Sequence, residues 1–290
     1  MPAMIYDNVI GTGTTLRQCT SARYSSGMQI AIDRASGSPL PSQVRQARAE
    51  PVCSFTSSDL STATTAIGLN YGLCLSSSTL SMWLAAQGCS GATGTGTHTR
   101  ITGAKGFCHI SSISARQSDP MATVNIECCW LSSDGFTVPI TITHNNDLSA
   151  TSFVDTYRMG AVLLDGTALT GVTGITINPG TNYQKLYQDG GVYPTQTVLG
   201  EITPSIDLTF LNQAYASAFG TAVNSNSLIK TATNLSCRFH INQDGGSVDT
   251  ATYITVAAAD GYAHVEEVTA SDRNVAEVTV RVTGLSLAVS

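Results

Sequence analysis

Five histidines, eight cysteines and a late series of carboxylates are the groups in this chain best able to do chemistry, and their spacing assembles none of the familiar devices. His98, His109, His144, His240 and His264 are scattered, with no H-E-x-x-H pair to hold a metal on one helix face. No G-x-S-x-G turn presents a nucleophilic serine. The stretch Gly91-Ala92-Thr93-Gly94-Thr95-Gly96 lacks the third glycine spacing and the lysine of a phosphate cradle. Asn242-x-Asp244-Gly245 with Asp249 begins like a calcium loop, but no bidentate glutamate closes it at the required distance, and a turn accounts for it. His240 and His264 could approach the late acidic residues, although a lone strand histidine is more often a packing residue than a base. The expectation is a chain that is not an enzyme, with no cofactor and no metal.

The cysteines (Cys19, Cys53, Cys74, Cys89, Cys108, Cys128, Cys129, Cys237) contain no C-x-x-C pair. Cys128 and Cys129 are adjacent on an extended pattern, so they point to opposite faces and do not readily share one ion. Met1 to Asp7 lacks the basic and apolar regions of a signal peptide, and no apolar run is long enough for a membrane helix. The chain is therefore expected to fold in a cytoplasm, without membrane insertion and with reduced thiols acting as small hydrophobes.

Only 12% of the 290 residues are Asp, Glu, Lys or Arg, about half the usual share, and Ser and Thr fill the gap. Lysine occurs only at 105, 185 and 230. Charged residues, lysine above all, are depleted where surfaces bury against partners, so this composition fits an assembly protein. It fits equally a Ser/Thr-rich secreted β protein. The net charge of −6 and the absence of a basic run argue against a protein that grips nucleic acid by its phosphates. Asp244, Asp249, Asp260, Glu266, Glu267, Asp272 and Glu277 face only Arg238, Arg273 and Arg281 in the C-terminal part, which should repel polyanions.

The elements that must carry these groups read as strands. Ala122, Val124, Ile126, Cys128 and Trp130 alternate with polar residues, Ser132 to Gly135 is turn chemistry, and Phe136, Val138, Ile140 and Ile142 resume the alternation, predicting one antiparallel hairpin. Met28 to Ile32, Ile67 to Leu75, Ile110 to Gln117, Leu235 to Ile241, Thr252 to Ala257 and Ala276 to Val282 read as further strands. Leu163-Leu164 before Asp165-Gly166, and Ile175 to Ile177 before Asn178-Pro179-Gly180, read as strand then turn. Many short strands separated by turns predict an all-β sandwich or barrel. Two short helices are predicted, Thr79 to Gln87 behind Ser78 as N-cap and Asn212 to Phe219 before Gly220. Ser42 to Glu50 is either a third helix or an exposed loop. Residues 1 to 24 (an arm with a weak strand at best), Ser54 to Ala66 and Ser90 to Thr102 look unlike core.

The Ile110 to Gln117 strand, the Ala122 to Trp130 strand, the Ser133-Asp134-Gly135 turn, and Asp189-Gly190-Gly191-Val192-Tyr193-Pro194-Thr195 leading through Pro204 to Ala218-Phe219-Gly220 resemble, in order, major tail tube proteins of long-tailed bacteriophages. The resemblance spans roughly residues 105 to 220. It implies a tail-tube-like β-sandwich with one or two short flanking helices and long loops or arms. Residues 1–24 would be an arm and 25–290 the sandwich domain, with room for a small added domain within 221–290. It also implies a virion tail protein assembled in the host cytoplasm. Six copies would join their sheets into a ring, and rings would stack through arms, loops and the C-terminal segment into a DNA conduit. Its partners would be itself, the tape measure and the tail terminator, with DNA passing unbound. Glu266, Glu267 and Glu277 are the candidate acids facing such a lumen. The alternative is a virion decoration or receptor-binding β-sandwich module. Such a module should expose aromatic residues for stacking, and Tyr183, Tyr187 and Tyr193 come nearest to that.

Overall fold

A computed structural model of the chain describes residues 3–10, 14–37, 39–75, 80–87, 98–146, 154–211, 229–242, 248–271 and 274–290. Its elements are β1 Ala3–Ile10, β2 Thr14–Ser25, β3 Gln29–Asp33, β4 Gln43–Arg48, β5 Val52–Ser57, α1 Leu60–Ala66, β6 Leu73–Leu75, β7 Leu80–Gln87, β8 His98–Gly103, β9 Gly106–Arg116 and β10 Thr123–Trp130. They continue with β11 Thr141–Asn146, β12 Tyr157–Leu164, β13 Thr167–Ala168, β14 Val172–Asn178, β15 Thr181–Tyr187, β16 Pro194–Ile202, β17 Ser205–Phe210, β18 Ile229–Asn242, β19 Val248–Ser271 and β20 Asn274–Val289. The fold is all-β and sandwich-like.

One large antiparallel sheet runs β11-β8-β7-β1-β2-β5-β10-β9-β14-β17-β20-β19-β18-β12-β13, with β6 added beside β9. Period-2 alternation gives it one apolar face. Val124, Ile126, Cys128 and Trp130 of β10, Ile175 and Ile177 of β14, Ile206, Leu208 and Phe210 of β17, and Val278, Val280 and Val282 of β20 are all buried there in one core. The sheet folds back so that β12 packs across β9 and β14, and that fold closes the core. The Trp130 indole donates to the Leu80 carbonyl at 3.0 Å, so the largest buried side chain leaves no orphaned donor. Helix α1 adds Leu60 and Ala63 to the core, with the Asp59 carboxylate accepting from the Thr62 amide at 3.2 Å as N-cap.

Several expectations need correction. The hairpin predicted over 122–143 does not form: β10 pairs with β5 and β9, while β11 pairs with β8. The intervening segment instead wraps around Asp134, whose carboxylate accepts from the Phe136 and Thr137 amides and from the Thr137 and Ser132 hydroxyls. Those bonds hold its carboxyl well below the usual carboxylate range. Phe136 and Val138 are left exposed. The helix predicted over Thr79 to Gln87 is the strand β7, because β1 and β8 bond both sides of its backbone, and no isolated helix competes with two ladders. Ser42 to Glu50, read as helix or loop, contains the strand β4.

The Ser/Thr-rich stretch 54–66, expected to lie outside the core, holds most of β5 and α1, and Phe55, Leu60 and Ala63 are buried. Within 1–24, where at most a weak strand was expected, β1 and β2 are both paired into the sheet. In Ile67 to Leu75 only β6 is strand, since Gly68 and Gly72 turn the chain at φ +76° and +68°. The helix predicted over Asn212 to Phe219 lies outside the described residues, as does 90–97 of the Ser90 to Thr102 stretch, whose remainder belongs to β8.

Candidate functional site

The other face of the sheet is polar, and cross-strand register organises it into rows. Ser21 of β2, Thr56 of β5, Asn125 of β10 and Ser112 of β9 lie side by side. The Ser21 hydroxyl donates to Thr56 Oγ1 at 3.1 Å, Thr56 donates to Asn125 Oδ1 at 2.6 Å, and Asn125 Nδ2 donates to Ser112 Oγ at 2.9 Å. A second row runs Thr123, Ser114, Thr176, Asp207, Arg281 and His264 across β10, β9, β14, β17, β20 and β19. Its first half is again hydroxyls, with Ser114 and Thr123 2.9 Å apart. The first row spends donors on its own acceptors, which leaves that part of the surface uncharged.

The second half of that row is ionic. Arg281 grips Asp207 with two bonds, Nε to Oδ1 at 2.8 Å and Nη2 to Oδ2 at 3.0 Å, and reaches Glu266 Oε1 with Nη1 at 2.7 Å. Glu266 Oε2 lies 3.0 Å from His264 Nε2. The Asp207 bonds push the guanidinium above its ordinary value. All three candidate acids belong to the strand pair β19–β20 and are exposed. They are not equivalent, because Arg281 offsets Glu266. Glu267 sits opposite Thr279 beyond a β-bulge and accepts from the Thr269 hydroxyl at 3.2 Å. Glu277 lines a shallow cleft of about 270 Å³ with Arg116, Thr173 and Thr209.

The histidines are dispersed. His264 does meet Glu266, but His240 stacks edge-on to Tyr253, His98 edge-on to Trp83, and His144 Nδ1 lies 3.1 Å from Thr99 Oγ1. No three histidine, cysteine or acidic side chains among the described residues form a group able to hold a metal. The seven described cysteines are free thiols. Cys128 faces the main core and Cys129 a small opposite patch with Phe107 and Leu131, the two-faced placement expected of neighbours on a strand. One grouping had no sequence signal. Register sets Cys53, Cys128 and Cys108 side by side on β5, β10 and β9, where burial and the neighbouring thiols push Cys128 well above its ordinary pKa.

Two ribbons flank the sheet. β15–β16 lies on the polar face, with the Tyr183 ring 4.7 Å from Phe107 and 4.9 Å from His109. Glu50 anchors it by accepting from Lys185 Nζ at 2.8 Å and from the Tyr187 hydroxyl, while Arg48 sits 4.7 Å over the Tyr187 ring. The turn beyond β15 docks on the Asp134 loop: Val192 and Tyr193 amides donate to the Gly135 carbonyl at 2.8 and 2.9 Å. The Ser133 to Gly135 and Asp189 to Thr195 segments, far apart in sequence, are thus one contact. Tyr183 and Tyr187 are engaged inward and form no exposed stacking platform.

The ribbon β3–β4 is different. Ile32 lies opposite Val44, and Met28, Ile30, Ile32 and Val44 are 53%, 56%, 54% and 59% exposed. Arg45 pairs with Asp33 at 2.9 Å on the other side. No protein-family model matches the chain, and no curated protein is significantly similar to it.

Proposed function

We propose that this chain is a structural virion protein that self-assembles into stacked rings, six copies to a ring as in the proteins it resembles, to form a phage tail tube through which DNA passes at ejection. The observation that carries the reading is the β3–β4 ribbon. Its apolar stripe is amphipathically patterned yet more than half exposed, a state expected of a segment that becomes buried against another copy.

Two features support it. The large sheet stays open among the described residues, ending on β11 at one side and on β12–β13 at the other, so copies joined edge to edge would complete its ladders. The self-bonded hydroxyl rows with exposed Glu267 and Glu277 suit a lumen lining, offering passing phosphates few cations and some repulsion. Glu266 would contribute less, being offset by Arg281. Tape measure and tail terminator would be the tube's other partners. The decoration or receptor-binding alternative gains no support from Tyr183 and Tyr187, whose rings face inward.

Negative-stain microscopy of the purified protein at rising concentration tests the reading. Rings or tubes are expected. Discrete monomers or trimers that bind cells would overturn it in favour of the module.

A further inference from the structure

His109 has no part in that assembly reading, and its setting is unusual. It sits on β9 beneath the β15–β16 ribbon, 6% exposed, its imidazole stacked on Phe107 at 5.9 Å and edge-on to Tyr183 at 4.9 Å. Its Nδ1 is buried with no partner among the described residues, and Glu127 is the neighbour that favours the charged ring. A leucine would fill this seat without an orphaned polar atom. Burial is the dominant influence on the imidazole and holds its pKa below 6.5.

The groups around it are few. From β10 come the exposed Glu127 carboxylate, directly opposite His109 in the ladder, and the Cys129 thiol. From β15 come Tyr183 and Lys185, and from β2, beyond Ser54 of β5, comes Arg23; Arg23, Ser54, Glu127, Tyr183 and Lys185 together line a cleft of about 390 Å³. Glu50 takes up Lys185. On the β6 side the near neighbour is Gly72. The route open to a charged imidazole is therefore outward, past Tyr183, toward Glu127.

We propose that His109 is an acid-sensitive latch: protonation draws its ring from beneath Tyr183 toward Glu127, and the Tyr183 end of the β15–β16 ribbon lifts from the sheet. The seat it vacates belongs to a small patch of Phe107, Cys129, Leu131, Val52 and Tyr183, separate from the main core, so opening leaves the rest of the sheet folded. The sign follows from the buried neutral ring. The closed form disfavours the proton and the open form takes it at the ordinary value, so opening grows as pH falls below 6.5. Acid also threatens the second anchor, because Glu50, held below its ordinary value by the Lys185 and Tyr187 hydrogen bonds against an opposing burial effect, loses its charge at lower pH. The latch does not depend on the chain forming a tube.

Cys129 reports the motion. It is fully buried under the ribbon, whereas Cys74 is exposed and Cys53, Cys108, Cys128 and Cys237 belong to the main core. Labelling with 4,4′-dithiodipyridine, mapped by peptide mass spectrometry, gives the Cys129 rate relative to Cys74, which cancels the reagent's own pH response. That ratio should rise by up to about tenfold per pH unit below 6.5, as expected for opening linked to one proton, while the core thiols stay protected. His109→Phe should abolish the rise. Glu127→Gln, which keeps the fold but removes the attracting carboxylate, should move its onset to lower pH. An unchanged profile in either variant, or Cys129 becoming reactive only together with Cys128, overturns the proposal.

Discussion

Exchanging the apolar stripe of the β3–β4 ribbon for a charge pair, Ile32→Asp with Val44→Lys, separates assembly from folding. The two residues face each other across the ribbon, so the new charges are opposite in sign and hold the ribbon together. Both sites are more than half exposed, which keeps the folding cost within about 0.5 kcal/mol. The assembly cost is larger. Full burial of such a side chain contributes about 1.5–3 kcal/mol, so covering the exposed half of each contributes about 1 kcal/mol, or about 4 kcal/mol for Met28, Ile30, Ile32 and Val44 together. Losing half of this weakens each contact by about thirtyfold, and the desolvation of two new charges adds to it. Sedimentation velocity and negative-stain microscopy should therefore show wild-type assemblies and variant monomers at the same concentration, with melting temperatures unchanged. A variant that assembles at the wild-type threshold would refute the assignment of the ribbon to a subunit contact.

Three further outcomes are expected. Trp130→Phe removes the buried donor to the Leu80 carbonyl and should cost about 1–3 kcal/mol in urea denaturation, with the strand order unchanged. Arg281→Met strips the shared cation from Asp207 and Glu266 and should destabilise by about 1–3 kcal/mol at neutral pH, and Arg281→Lys should recover only part because it cannot make the two-bond grip. Charge reversal at Glu267 and Glu277 should leave tubes intact by microscopy but lower infectivity in phage complementation, more than reversal of the already offset Glu266; unchanged infectivity in all three would exclude them as lumen acids.

Local pattern was informative wherever a strand's own alternation met a strong turn. The Asp165-Gly166 turn was legible because both residues take positive φ, +51° and +78°, as a tight β12–β13 hairpin requires. The alternation in β10, β14 and β20 identified core-facing residues correctly because one face of each is buried. The same local logic failed at β7, where Leu80, Trp83 and Leu84 match a helical face as well as Leu80 and Met82 match a strand face. It failed again at Phe136 to Ile142, where alternation continues through a loop that the Asp134 carboxylate organises. Helix α1 was hidden because Ser and Thr are weak helix formers; packing and the Asp59 cap hold it.

Period-2 alternation between turn clusters already specified a β protein, and the abundance of hydroxyls with scarcity of lysine a surface poor in charge. Which side chains meet across strands was decided only by the tertiary structure. Register joins residues distant in the chain, so the hydroxyl rows, the Arg281 cluster, the three-thiol row and the seat of His109 under Tyr183 exist only once the strands are paired.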